Sequence, residues 1–171
     1  MTQKHMKTWR IIILGIFTGT IVIAPQVWGL KFTASMYGSQ IEPATDTTVN
    51  GTASFRTMTN DTMIKYKIQI EGSSDVTAAD IRLSNHDENG VKVVDLLKDS
   101  KKNGIKQATS IRGNITSSNL EGPLKSKELT ELISAMKNGS AYLNIDTPYH
   151  EKGQIKGKIT STDNTNSSQI E

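Results

Sequence analysis

The sequence predicts an all-β fold with one short helix, an Ig-like or Greek-key antiparallel β-sandwich, on three observations. Apolar and polar residues alternate with period two from Thr62 to Glu71 and through the preceding segment Gly51 to Met58, turn signals recur every dozen or so residues, and a helical period occurs in one segment alone. Turns at that spacing favour a sandwich or a barrel over alternating βαβ units. Asn-Gly pairs at Asn50-Gly51, Asn89-Gly90 and Asn103-Gly104 mark positions where a turn needs positive φ.

The first segment is an address. Residues 1–10 (MTQKHMKTWR) are basic and polar, Ile11 to Ala24 is an uncharged, mostly apolar run, and Val27 and Gly29 are compact residues at the minus-three and minus-one positions of a cut after Gly29. That tripartite pattern predicts a secretory signal peptide over 1–29. The apolar run is shorter than the roughly 20 residues a spanning helix needs; an uncleaved anchor that also uses Pro25 to Leu30 is the alternative, and the membrane would be met only through that segment. Cleavage removes Lys4, Lys7 and Arg10, so the formal charge of +3 for the 171-residue chain becomes 17 basic against 17 acidic residues. The basic excess therefore belongs to the export signal.

Strands follow in order. Leu30 to Tyr37 opens the domain; Gly51 to Met58 places Ala53 and Phe55 inward and Ser54 and Arg56 outward. Across Thr59-Asn60-Asp61 its hairpin partner, Thr62 to Glu71, puts Ile64, Tyr66, Ile68 and Ile70 on one face and Lys65, Lys67, Gln69 and Glu71 on the other. Val76 to Leu83, Val91 to Leu97, Ile105 to Thr116, Ala141 to Asp146 and Gln154 to Thr160 complete eight strands. In Ser126 to Gly139 the apolar residues Leu129, Leu132, Ile133 and Met136 instead fall at i, i+3, i+4 and i+7, an amphipathic helix that closes or flanks one end of the core. Ser126 is its expected N-cap, Glu128 and Glu131 suit the positive end of the dipole, Lys137 the negative end, and Gly139 the left-handed C′ position. Residues 161–171 are polar and without period, a disordered tail.

Composition narrows the chemistry. No cysteine is present, which excludes disulfides, thiolate metal sites and Cys nucleophiles. Aromatics are 5%, too few for base-stacking platforms, so no nucleic-acid partner is expected. No glycine-rich phosphate loop, Gly-x-Ser-x-Gly elbow or Ser-x-x-Lys string occurs, so neither an enzyme nor a cofactor is expected. Sequons at Asn50, Asn60, Asn114, Asn138 and Asn166 suit an exported protein.

Several strings in order carry a resemblance. Glu42-Pro43 and then Gly51, Ala53 and Phe55 follow the opening strand; Val76 to Arg82 reads VTAADIR; Glu88-Asn89-Gly90 precedes Val93-Val94-Asp95-Leu96. Gly113-Asn114-Ile115, Leu120 to Leu124 (LEGPL), Gly139 to Thr147 (GSAYLNIDT) and Gly153 to Ile159 (GQIKGKI) complete the set. Over 30–160 the chain resembles the CHRD domain, the module named after chordin and also found singly in secreted prokaryotic proteins. The resemblance implies an extracellular binding module, since chordin is a secreted antagonist that binds growth factors. Where the family commonly shows three histidines, this chain has Asp80, Arg82 and Asp146. An imidazole-type metal role does not carry over, because Arg cannot ligate a cation and Asp prefers oxygen-loving ions.

Candidate polar residues are weighed against that background. Asp80, Arg82 and Asp146 are expected to form a charge-paired cluster at one end of the sandwich, in which Arg82 replaces a cation or protonated His; ordinary outward charges on adjacent strands are the alternative. His86 and His150, both read in turns, are too few for a His-type zinc or copper site, which also disposes of a dismutase-like centre. A calcium site would use Asp87, Glu88 and Asp80, or Asp95, although the alternating Asp series is lacking. Lys98, Lys101, Lys102 and Lys106 could bind anionic glycans, or simply be solvated. The function expected is that of an exported, non-catalytic module, secreted or at the cell surface, acting on an unidentified extracellular protein or surface component or as a structural part. A metal-dependent enzyme or metal-carrying β-sandwich protein of the cell envelope is the alternative.

Overall fold

The computed structural model describes residues 29–41, 43–58, 60–72, 76–84, 90–98 and 110–162. The signal segment to Trp28, the Glu42 turn position, His86, Asp87, Glu88, Lys101, Lys102, Lys106, the Asn103-Gly104 pair and 163–171 lie outside the described residues.

Among the described residues nine strands and one α-helix form: β1 (Lys31–Tyr37), β2 (Asn50–Met58), β3 (Met63–Glu71), β4 (Ala78–Leu83), β5 (Val91–Asp95), β6 (Ser110–Ile115), α1 (Leu129–Lys137), β7 (Ala141–Thr147), β8 (His150–Lys158) and β9 (Thr160–Ser161). Single 3-10 turns occupy Gly38–Gln40, Ser117–Asn119 and Gly122–Leu124. The predicted alternation sets the faces: β1 buries Phe32, Ala34 and Met36, β2 buries Gly51, Ala53 and Phe55, and β3 buries Ile64, Tyr66, Ile68 and Ile70. Asn60 and Asp61 take φ of 53° and 63° in the hairpin between β2 and β3, a conformation their short polar side chains tolerate.

Among the described residues all strand pairings are antiparallel and run through one sheet in the order β5-β4-β7-β8-β1-β2-β3-β6, with β9 on the start of β1. The sheet curls until its edges nearly meet. After β6, Leu120 bridges Val94 and the Glu121 N–H donates to the Val93 carbonyl at 2.8 Å, so the chain leaving one edge bonds to the other. Tyr66 of β3 donates its hydroxyl to the Leu96 carbonyl beyond β5 at 2.7 Å. Its cross-strand partner is Gly113, where a Cβ would come within 2.5 Å of Tyr66 Oη; the missing side chain leaves the ring room to reach across. The prediction is therefore met as all-antiparallel β with one helix, while the hydrogen bonding forms one nearly barrel-shaped sheet instead of two separate facing ones.

Local boundaries differ where a side chain intervenes. β5 ends at Asp95 because its Oδ1 accepts the Leu97 N–H at 2.9 Å and turns the chain, two residues before the expected strand end. His150, expected in a turn, opens β8 opposite Thr147. Ser126 is not the helix cap: it sits at φ 64°, and Glu128 is the N-cap without a side-chain bond. At the other end Gly139 takes φ 74° as expected, and Ser140 N–H closes onto the Ala135 carbonyl at 3.0 Å. Leu129, Leu132, Ile133 and Met136 are all buried, and α1 packs on β7 and β9. Backbone pairing begins at Leu30, directly after the expected cut: its carbonyl accepts the Thr57 N–H at 2.9 Å, and its own N–H donates to Thr57 Oγ1 at 2.9 Å. It continues past the expected start of the tail: Ser161 lies in β9 and Thr162 N–H donates to the Lys31 carbonyl at 3.0 Å.

Candidate functional site

The three positions singled out in the sequence lie on two adjacent strands. Ala79 and Ile81 point into the core, so Asp80 and Arg82 of β4 face outward. In β7, Ala141, Leu143 and Ile145 are the core residues and Tyr142, Asn144 and Asp146 share the outward face. Register places Asp80 opposite Asn144, Ala78 opposite Asp146 and Arg82 opposite Tyr142. On the flanks, Asp95 of β5 pairs with Asp80, and Lys156 of β8 pairs with Asn144.

This outer face is not solvated in the ordinary way: Asp80, Asn144 and Asp146 are each no more than 7% exposed. A carboxylate so placed needs a partner. Arg82 Nη2 donates to Asp80 Oδ2 at 3.2 Å, and Asn144 Nδ2 donates to Asp146 Oδ1 at 2.6 Å. Lys156 Nζ stands 4.0 Å from the centroid of the Tyr142 ring, a cation over a π face. The cluster is thus a seam of an ion pair, an amide–carboxyl bond and a cation–π contact laid across β4, β7 and β8.

Both carboxyls titrate above their ordinary range. Burial is the main cause at Asp80, opposed by the Arg82 hydrogen bond and by the charges of Lys92 and Arg82, with Asp95 pushing upward again. Burial also leads at Asp146, opposed by Asn144 and the Arg82 charge, with Asp80 adding to the rise. The Tyr142 hydroxyl is raised by burial as well, against the nearby Arg82 charge. Desolvation outweighs pairing at each acid, so both carboxyls keep their protons to higher pH than an exposed aspartate does.

Asp80 and Arg82 therefore meet directly, whereas Asp146 is held by Asn144 and feels Arg82 through its charge. Asn144, Tyr142 and Lys156 were missed in the sequence; the signal was a polar residue at every second position of an otherwise apolar strand, Tyr142-x-Asn144-x-Asp146. Of the calcium candidates, Asp80 is committed to Arg82 and Asp95 to the Leu97 amide. Lys98 pairs with Glu121 at 3.5 Å, which Lys92 also meets at 3.6 Å. Among the described residues no three His, Cys, Asp or Glu side chains gather as a metal site.

Fold and site together define an antiparallel β module whose polar seam is built from carboxyls, a guanidinium and an amide. The chain belongs to the CHRD domain family: the family model, described as CHRD domain, matches residues 32–159, from the second residue of β1 to the residue between β8 and β9. That membership suggests a non-enzymatic extracellular module. Comparison with curated proteins and with solved structures found no match. No helix among the described residues is long and apolar enough to cross a membrane.

Proposed function

We propose that the chain is an exported, non-catalytic CHRD module that works by binding an extracellular or cell-surface component, or as a structural part of that surface. One observation carries this reading: Asp80 and Asp146, at two of the positions where the family commonly shows histidine, are each held by a neighbour on the same strand, Arg82 and Asn144. Carboxyls committed in this way stiffen a sheet face and offer little to a substrate or cation. The basic start and apolar run of the first 24 residues support export.

Fractionation of cells that make the full chain, with the mass of the accumulated protein, tests this reading. The expected product is outside the cytoplasm and begins at Leu30. Protein retained inside the cell would overturn export, and stoichiometric metal found by elemental analysis would favour the metal-dependent alternative.

A further inference from the structure

We propose that the outer face of β1, β2, β3 and β6 is a docking surface for an anionic polysaccharide. In the observed register Lys31, Arg56, Lys65 and Asn114 form one row across the four strands, and Thr33, Ser54, Lys67 and Arg112 form the next. Strands about 4.8 Å apart bring five cations into two adjacent rows. Glu71, at the far end of β3, supplies the carboxylate among the outward positions of these strands, and it lies opposite Asn50, away from both rows. Arg56, Lys65, Lys67 and Arg112 make no ion pair among the described residues.

Such a block works against its own sheet. Lys31 opposite Arg56, Arg56 opposite Lys65, and Lys67 opposite Arg112 are like-charged cross-strand pairs, an arrangement that destabilises a ladder. A bound polyanion converts that repulsion into attraction. The surface is also shaped for a chain: Lys31, Thr33, Ser54, Arg56, Lys65 and Lys67 line an open trough of about 460 Å³, together with Thr162 and with the buried Phe32, Phe55 and Tyr66 of the same strands. Lysine and arginine stems form apolar walls while their heads stay in water, and Thr33 and Ser54 set hydroxyls beside the cations for sugar hydroxyls. The outward positions of these two rows carry no aromatic side chain, and Phe32, Phe55 and Tyr66 along the trough are buried, so no ring is presented for a base to stack on or for a bilayer to take up, which favours a polysaccharide over nucleic acid or membrane. After cleavage at Gly29 the formal charge is zero, 17 basic against 17 acidic residues, so attraction to a polyanion must arise from a local patch such as this one.

The proposal deepens the binding reading by naming a partner class, and it rests on that reading for the expectation that the domain meets envelope polymers. The test titrates the exported protein with dextran sulfate, with uncharged dextran, polyuridylate and phosphatidylglycerol vesicles as further arms. Two double variants are compared: Arg56→Gln with Lys67→Gln, and Lys125→Gln with Lys127→Gln, which removes the same charge from exposed positions before α1. The expected result is salt-sensitive binding to dextran sulfate, weakened at least tenfold by the first pair and less than twofold by the second. The slope of log affinity against log salt should fall by roughly two for the first pair. That variant should also melt no lower than the parent without polymer, since like-charge pairs have been removed. Equal weakening by both variants, absence of salt-sensitive binding, or preference for polyuridylate or vesicles would overturn the proposal. Cytoplasmic retention would overturn the export reading alone.

Discussion

Replacing Asp146 by Asn removes a buried negative charge and keeps the acceptor that Asn144 uses, because an amide oxygen can take the 2.6 Å bond in place of Oδ1. In the parent, burial raises the folded carboxyl above its ordinary value of 3.8, against the pull of Asn144 and Arg82. The folded protein therefore keeps this proton at pH values where the unfolded chain has lost it. The stabilisation is complete below the unfolded value and is lost as pH rises through the folded one, with a slope of at most about 1.4 kcal/mol per pH unit for one proton. The Asn variant does not titrate here. Its stability relative to the parent should be constant near pH 3, rise through the window above 3.8, and level off once both states of the parent are ionised. Urea unfolding at a series of pH values measures this; far-UV circular dichroism is the signal of choice, since Trp9 and Trp28 both precede the expected cut. A variant-minus-parent difference that stays flat with pH, or that moves against the variant as pH rises, would refute the desolvation account of the seam.

Arg82→Met strips the guanidinium from buried Asp80 and should cost about 1.5–3 kcal/mol at pH 7, with a smaller loss at pH 3, where Asp80 is protonated; equal losses at the two pH values would contradict the ion pair. Tyr66→Phe leaves the Leu96 carbonyl without its 2.7 Å donor and should cost about 1–2 kcal/mol in urea unfolding. Gly113→Ala, which places a methyl group 2.5 Å from Tyr66 Oη, 2.7 Å from its Cζ and 2.9 Å from its Cε1, should lower the melting temperature in the parent and still do so in the Tyr66→Phe background, where both ring carbons remain; a loss confined to the parent would mean that the hydroxyl alone sets the fit. Leu132→Ala in the buried stripe of α1 should cost about 2–5 kcal/mol; a change under 0.5 kcal/mol would mean that the helix face serves a partner instead of the core.

Which face of a strand is buried could be read directly, because a period of two is a property of adjacent residues. Ile64, Tyr66, Ile68 and Ile70 declare the inner side of β3 without any knowledge of its neighbours, and Leu129, Leu132, Ile133 and Met136 do the same for α1. Which strands are neighbours could not be read that way. The pairings of β4 with β7, β8 with β1 and β3 with β6 join segments distant in sequence, and nothing in the alternation of one strand selects its partner. The helix starts later than the sequence suggests: between the Gly122–Leu124 turn and α1 the chain holds Ser126 at positive φ, a conformation that the capping preference of serine does not encode.

The candidate site shows the same division in a sharper form. Asp80 and Arg82 lie two residues apart on one strand, so their shared face and their contact follow from the local period. Asp146 lies on the same outward surface, but its environment depends on β4 and β8 flanking β7 on both sides. An inner strand with Tyr142, Asn144 and Asp146 outward is buried on both faces, and burial is what turns an ordinary surface aspartate into a carboxyl that needs the Asn144 amide. The basic rows of β1, β2, β3 and β6 depend on partnering too: Lys65 and Lys67 read as routine outward residues of one strand until Arg56 and Arg112 are placed opposite them. A charge that is unremarkable along a strand becomes a constraint across the sheet, so both polar surfaces of this domain are products of register more than of any single segment.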